Sequence, residues 1–122
     1  QLLNTGNISE AAQYYAVLFG KANIDSPDYK ALKEHILDGF KQFEKSQNPD
    51  KYTSVNAFIG FYLRMMVLLN MGEKELLMRD IKDFFYDMAK TTGTLWEYKE
   101  GLGSRDHGFA SFVAYIINEA IK

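Results

Sequence analysis

Hydrophobic side chains recur every three or four residues along most of the chain, which is the spacing of one face of an α-helix. The pattern predicts five helices, the first over about residues 9–21 and the second over about 27–45. Residues typical of helix ends lie at the breaks, with Ser26 and Pro27 before the second helix and Gly72 after the third. The later helices are predicted over about 54–71, over 73–90, and from about 104 or 106 onward.

The predicted helices alternate in character. The third is apolar almost all round, whereas the second and fourth carry charged residues on one face. The serines at positions 9, 54 and 104, which open successive segments, are 45 and 50 residues apart, a spacing typical of repeated helical hairpins. Such hairpins bury their inner faces only by stacking on neighbours. We therefore predict an all-α fold, in which residues 1–122 are a single segment forming an arc of about five helices from a larger (α/α)6 toroid. A self-contained five-helix bundle is the alternative.

Composition and charge exclude several classes of protein. The 122 residues are 47% hydrophobic and include 9 Phe, 8 Tyr and 1 Trp against 2 Pro, which excludes a disordered chain. The absence of Cys excludes disulfides, cysteine-ligated zinc and a thiol nucleophile. A net charge of -2 argues against nucleic-acid binding, and the longest apolar stretch is too short for a membrane span. No cofactor is expected, and the compartment is not indicated, with cytoplasmic and extracytoplasmic locations both open.

A long connection of residues 91–103 separates the fourth and fifth predicted helices. It holds the single tryptophan, Trp96, next to Glu97. A tryptophan ring packs against the C–H face of a pyranose, and a carboxylate can activate water, so this pair suits sugar chemistry. In the alternative interpretation, Trp96 closes the end of the helices and Glu97 is solvated.

Two motifs in this region point to a family. Thr-Gly-Thr-Leu-Trp-Glu over residues 92–97, followed by Ser-Arg-Asp-His-Gly over 104–108, resembles the carboxyl-terminal part of the catalytic domain in bacterial α-L-rhamnosidases. The helix pair before these motifs and the opening helix near Gln13 also resemble that family, so the resemblance covers nearly the whole chain. It implies a six-hairpin (α/α)6 glycosidase, of which this chain supplies the last five helices or so, that hydrolyses terminal rhamnosyl bonds with inversion.

The resemblance also implies the chemistry of the site. In an inverting glycosidase, one carboxylic acid protonates the leaving oxygen while a second carboxylate activates the attacking water. Glu97 matches the family's general base. The general acid of the family lies upstream of the matched region, so we expect it outside this chain and expect the isolated chain to be inactive. The expected partners are a rhamnosylated glycan or glycoside and the rest of the catalytic domain.

The same reasoning names substrate-binding residues. If Ser104 caps the last helix, His107 lies in its first turn, where it contacts a sugar hydroxyl or simply satisfies helix-start groups. Arg105 and Asp106 depart from the smaller or amide residues expected between Ser104 and His107, which leaves the sugar specificity open. The full set of predicted substrate-binding residues is Trp96, His107, Asn56, Tyr52 and Tyr98, with no metal ligand.

Other functions remain as alternatives. The chain can belong to another inverting (α/α)6 glycosidase, or to a helical-repeat module whose aromatic surface binds a partner. A catalytic triad of Ser104, Asp106 and His107 is disfavoured because the three lie too close together in a helix start. His35 and His107 on separate helices make a weak metal site. In a toroid, further hairpins would cover the apolar surface at the edge of this segment. Without them that surface is exposed, and we expect the segment to self-associate through it.

Overall fold

A computed structural model describes residues 8–20, 22–38, 52–53, 58–98 and 101–122. These residues confirm the all-α class, since they are mostly helical and their strands are two residues long. The chain divides into two compact units, residues 1–55 and 56–122. The toroid and the single segment remain predictions. The described α-helices are α1 (Glu10–Phe19), α2 (Lys30–Asp38), α3 (Phe58–Asn70), α4 (Lys74–Ile81), α5 (Asp87–Thr92) and α6 (Phe112–Ile121).

The first unit contains α1, α2 and a short parallel strand pair. Strand β1 (Ile8–Ser9) pairs with β2 (Tyr52–Thr53), and α1 begins directly after β1. In α1 the Tyr14 hydroxyl donates to the Glu10 carboxylate, and both side chains are fully buried. The hydrogen bond lets these two polar groups lie inside the unit, since a buried polar group without a partner is costly.

The predicted start of the second helix is confirmed. A 3-10 turn over Pro27–Tyr29 leads into α2, and the Ser26 hydroxyl accepts a hydrogen bond from the Asp28 N–H at 3.4 Å. Ser26 has extended backbone angles, as an N-cap residue requires. The end of this predicted helix, over residues 39–45, lies outside the described residues.

The second unit is built around α3, which packs against α4 and α6. As its apolar sequence predicts, α3 is buried over most of its length. Gly72 ends this helical region with φ +74°, a left-handed conformation that glycine adopts without steric cost. Within the described ranges, no helix combines the length and apolar character needed to cross a membrane.

The fourth predicted helix is interrupted. A π-helical turn over Lys82–Tyr86 separates α4 from α5, and the helix ends at Gly93, which has φ +71°. Two consecutive residues of the π turn, Phe84 and Phe85, are both buried, and both rings contact the ring of Phe61 on α3. The wider π turn thus brings neighbouring aromatic residues into one core.

The predicted start of the last helix at Ser104 or Asp106 is wrong. The helix begins with a 3-10 turn over Gly108–Ser111, followed by α6. The Ser104 hydroxyl accepts from the Asp106 N–H at 3.3 Å inside a turn, so it caps no helix. His107 is extended, with φ −108° and ψ 104°, and therefore precedes the helix instead of lying in its first turn.

Several apolar side chains of the second unit face solvent. They include Leu102 (67% exposed), Phe109 (53%) and Ile121 (72%). Self-association through an apolar seam stays a prediction that this surface allows.

Candidate functional site

Residues 94–98 and 101–107, here named the Trp-Glu loop, are joined to each other by backbone hydrogen bonds. The Glu97 N–H donates to the Ser104 carbonyl at 2.8 Å, and the His107 N–H donates to the Leu95 carbonyl at 2.9 Å. At the turn, the Gly101 N–H donates to the Tyr98 carbonyl at 3.0 Å. The two arms of the loop are therefore held side by side by backbone hydrogen bonds, as in a hairpin.

The loop is anchored on the first residue of α3. The Phe58 N–H donates to the Glu97 carbonyl at 3.2 Å, which satisfies one of the free N–H groups at the start of this helix. The imidazole of His107 stacks on the Phe58 ring with 4.2 Å between centroids and 27° between planes. Phe58 thus contacts both Glu97 and His107.

The Glu97 carboxylate is half-buried and is bound by the loop itself. Its Oε2 atom accepts a hydrogen bond from the Ser104 N–H at 3.0 Å. Within the described part of the chain, this is the only hydrogen bond of the carboxylate, and it forms no ion pair there. The other oxygen, Oε1, is consequently left without a protein partner among the described residues.

Trp96 is directed toward other residues of the loop and of α5. Its indole N–H donates to the Thr92 hydroxyl at 2.7 Å, so that donor is already used. The guanidinium of Arg105 lies over the indole, 5.4 Å from its centroid, and Arg105 Nε donates to the Gly101 carbonyl at 3.2 Å. Since Arg105 covers one face, the half-buried ring can offer a sugar only the rest of its apolar surface and no hydrogen bond.

Threonine hydroxyls close the base of the loop. Thr92 Oγ1 donates to the Met88 carbonyl at 3.2 Å and lies 2.7 Å from Thr94 Oγ1. Thr94 in turn donates to the Arg105 carbonyl. These contacts join the end of α5 to both arms of the loop, and they explain the Thr-Thr-Gly-Thr run that precedes Trp96.

His107 has a buried hydrogen-bonding atom that is unused in the described residues. Its Nδ1 is buried and has no hydrogen-bond partner there, whereas the ring as a whole is half-buried. The stacked Phe58 ring is apolar and cannot supply the missing partner. Nδ1 is thus a buried and unsatisfied atom within the described residues, and only the accessible edge of the half-buried ring faces outward.

The remaining predicted residues fall in different places. Tyr98 is half-buried beside Gly103, since a Cβ on Gly103 would lie 3.2 Å from its ring. Tyr52 belongs to β2 in the first unit, and its side chain lies outside the described residues, as does the whole of Asn56. The structure thus places Tyr98 and the Glu97 carboxylate against the same face of Gly103, whereas Phe58 links the His107 ring only to the backbone carbonyl of Glu97.

The sequence did not single out Gly103, Ser104 or Phe58 as residues that hold Glu97. Gly103 has φ +72°, and a Cβ there would lie 2.5 Å from Glu97 Oε2, which is closer than atoms can approach. The sequence feature that could have indicated the role of Gly103 is the high glycine content of the loop. Glycine content alone does not show which glycine contacts the Glu97 carboxylate.

The alternative chemistries gain no support from this geometry. The Ser104 hydroxyl bonds to backbone atoms of Asp106 and not to the imidazole of His107, contrary to what a triad requires. Across the described ranges, no group of three or more His, Cys, Asp or Glu residues is arranged to hold a metal ion. An open cavity of about 400 Å³ lies in the first unit, and none of the predicted site residues lines it.

Comparisons with known protein families, with curated proteins and with solved structures give no match.

Proposed function

We propose that this chain is the carboxyl-terminal part of the catalytic domain of an inverting glycosidase of the α-L-rhamnosidase type, with Glu97 as its general base. The observation that supports this best is the state of the Glu97 carboxylate. One oxygen is held by the Ser104 N–H at 3.0 Å, and the other is unbonded within the described residues. A carboxylate held in this way is a fixed proton acceptor with one free face.

The proposed reaction uses that free oxygen. Glu97 Oε1 accepts a proton from water while the water oxygen bonds to the anomeric carbon and the glycosidic C–O bond breaks. The departing oxygen takes its proton from an acid outside this chain, at the separation of roughly 6.5–9.5 Å that leaves room for water between two carboxyl groups. Attack from the face opposite the leaving group inverts the anomeric configuration.

The neighbouring side chains suit the sugar. The half-buried indole of Trp96 offers an apolar surface, and the methyl and C–H groups of a rhamnopyranose are the matching part of that sugar. The half-buried imidazole of His107 can bond to a hydroxyl, and Tyr98 lies beside Gly103 on the same side as the Glu97 carboxylate. These contacts would orient the ring relative to Oε1.

The decisive experiment is hydrolysis of an aryl α-L-rhamnoside by the full-length enzyme that contains this segment. Glu97→Gln retains an oxygen that can accept from the Ser104 N–H, so it removes the proton acceptor with little change in the loop. We expect kcat to fall by about 10²–10⁴-fold. The matched control is Glu75→Gln, since Glu75 is exposed on α4 and should leave kcat unchanged.

The products complete the test. NMR of the fresh product should show the β-anomer of L-rhamnose first, and the isolated 122-residue chain should release none. Unchanged hydrolysis by Glu97→Gln would overturn the proposal and favour a non-catalytic helical-repeat module. A preference of the full-length enzyme for another aryl glycoside would instead assign it to a different inverting glycosidase.

A further inference from the structure

Gly103 is packed directly against the Glu97 carboxylate. A Cβ at this position would lie 2.5 Å from Oε2 and 3.1 Å from the carboxyl carbon of Glu97. The next residue, Ser104, supplies the N–H that binds the same oxygen at 3.0 Å. One dipeptide therefore both makes room for the carboxylate and binds it.

Both properties depend on glycine. The φ of +72° is strained for residues with a side chain, and it turns the chain so that the following N–H faces Glu97. The missing Cβ removes the atom that would otherwise occupy the position of Oε2. Any side chain at residue 103 would have to displace the carboxylate or the backbone.

We infer that Gly103 and the Ser104 N–H together are a positioning element for the proposed general base, an inference that rests on the proposed function. The hydrogen bond fixes the rotation of the carboxylate about its terminal bond. That rotation decides where Oε1 lies relative to the attacking water. Because the hydrogen bond already fixes the orientation of the carboxylate, no rotational entropy has to be lost for this group in each turnover.

The role predicts a specific kinetic signature in the full-length enzyme. Gly103→Ala pushes the carboxylate away from the Ser104 N–H but leaves Trp96 and His107 in place. We expect kcat to fall by about 10–100-fold while KM changes by less than about twofold, because a small misplacement of a reacting group affects the transition state more than substrate binding.

The matched control is Gly72→Ala. Gly72 has φ +74°, so an alanine there experiences the same backbone strain, but nothing lies within 4 Å of its added Cβ. This variant should lose stability by a similar amount and keep its kcat. An equal fall of kcat in both variants would show that backbone strain alone is responsible, and it would overturn the inference.

A second measurement needs no activity and uses the 122-residue chain. In a double-mutant cycle, Glu97→Ala removes the carboxylate that the new Cβ would meet, so the loss of stability caused by Gly103→Ala should shrink in that background. The corresponding cycle with Gly72→Ala should be additive. Amide exchange at Ser104 should also accelerate in Gly103→Ala. If Gly103→Ala folds too poorly for kinetics, these measurements on the double variant still decide the geometry.

The outcomes separate the inference from the proposed function. If Glu97→Gln hydrolyses normally, the proposed function is wrong. If Glu97→Gln is inactive and Gly103→Ala keeps its kcat, the general base stands and the positioning role is wrong. An additive cycle between Gly103 and Glu97 also overturns the positioning role, because it shows that the two residues do not interact.

Discussion

Arg64 of α3 and Asp80 of α4 form a buried ion pair, with Arg64 Nε 2.9 Å from Asp80 Oδ2 and side-chain exposures of 0% and 2%. Arg79, which is largely exposed, approaches the other carboxylate oxygen at 3.8 Å. Burying both charges costs desolvation energy, so the pair contributes little net stability compared with apolar residues. The pair fixes the register of α3 against α4, because a shift of either helix would separate two buried charges.

The first prediction concerns removal of one charge from this pair. Asp80→Ala removes the carboxylate that Arg64 Nε binds in the core and should lower the free energy of unfolding by about 3–5 kcal/mol. The double variant Arg64→Met/Asp80→Leu should recover most of that loss because it removes both buried charges. Urea denaturation measures both values, with the exposed Asp87→Ala as a control that should change stability by less than about 0.5 kcal/mol. A double variant as unstable as Asp80→Ala would contradict this account.

The second prediction is the pH dependence of the same group. Burial raises the pKa of Asp80 above its ordinary value of 3.8, while the charges of Arg64 and Arg79 act in the opposite direction and Asp83 reinforces burial. A carboxyl group that holds its proton more tightly in the folded chain contributes stability that is present below its unfolded pKa and is lost as pH rises through the folded pKa.

The measurement compares the wild-type chain with Asp80→Asn, which resembles the neutral carboxyl group. We subtract the free energy of unfolding of the variant from that of the wild type. This difference should decrease as the pH rises above 3.8, because only the wild-type residue ionises and a buried charge is unfavourable. Urea titrations at a series of pH values provide this difference. A difference that increased with pH would mean that the attraction of Arg64 outweighs burial.

The third prediction concerns the aromatic core of the second unit. Phe61 is 1% exposed and contacts the rings of Phe84 and Phe85. Phe61→Ala should lower the free energy of unfolding by about 3–5 kcal/mol, since it removes buried surface and leaves a cavity. The neighbouring Ile59 is 46% exposed, so Ile59→Ala should have a much smaller effect. Equal effects in thermal or urea unfolding would place Phe61 outside the core.

The fourth prediction uses Trp96 as a natural reporter, because it is the only tryptophan in the chain. L-Rhamnose should change the intrinsic fluorescence of the 122-residue chain, and His107→Ala should weaken that response. D-Glucose, a pyranose with a different arrangement of hydroxyl groups, is the control sugar. A flat titration with L-rhamnose, or an equal response to both sugars, would contradict a specific rhamnose site on the Trp96 ring.

Sequence reasoning succeeded where the controlling interactions are local. Ser26 was identified as a cap because a serine before a proline needs only the next turn of chain to act, and the structure shows the Ser26 hydroxyl bound to the Asp28 N–H. Gly72 ends its helix for a reason that concerns a single backbone angle. The apolar pattern of α3 likewise predicted its burial. A helix that faces solvent on one side carries a row of charged residues there, and α3 has no such row.

Sequence reasoning failed where the role of a residue depends on a partner that is distant in the sequence. Ser104 has the same local appearance as Ser26, yet its carbonyl and N–H are bound to Glu97, seven positions earlier in the chain. That pairing keeps residues 104–107 out of the helix, which begins only at Gly108. The interruption of the fourth helix has a similar cause, since the packing of Phe84 and Phe85 on Phe61 favours a π turn.

By itself, the sequence determined the all-α class and the approximate positions of the helices, because periodicity and capping are short-range properties; the sugar site at Trp96 and Glu97 stays a prediction. The tertiary structure alone decided that the Trp-Glu loop closes on itself and that Gly103 and Ser104 hold one oxygen of Glu97. It also decided that Arg64 pairs with Asp80 inside the core. The physical reason is that hydrogen-bond geometry and burial depend on contacts between residues that are distant in the sequence. Short-range patterns such as periodicity and capping carry no information about those contacts.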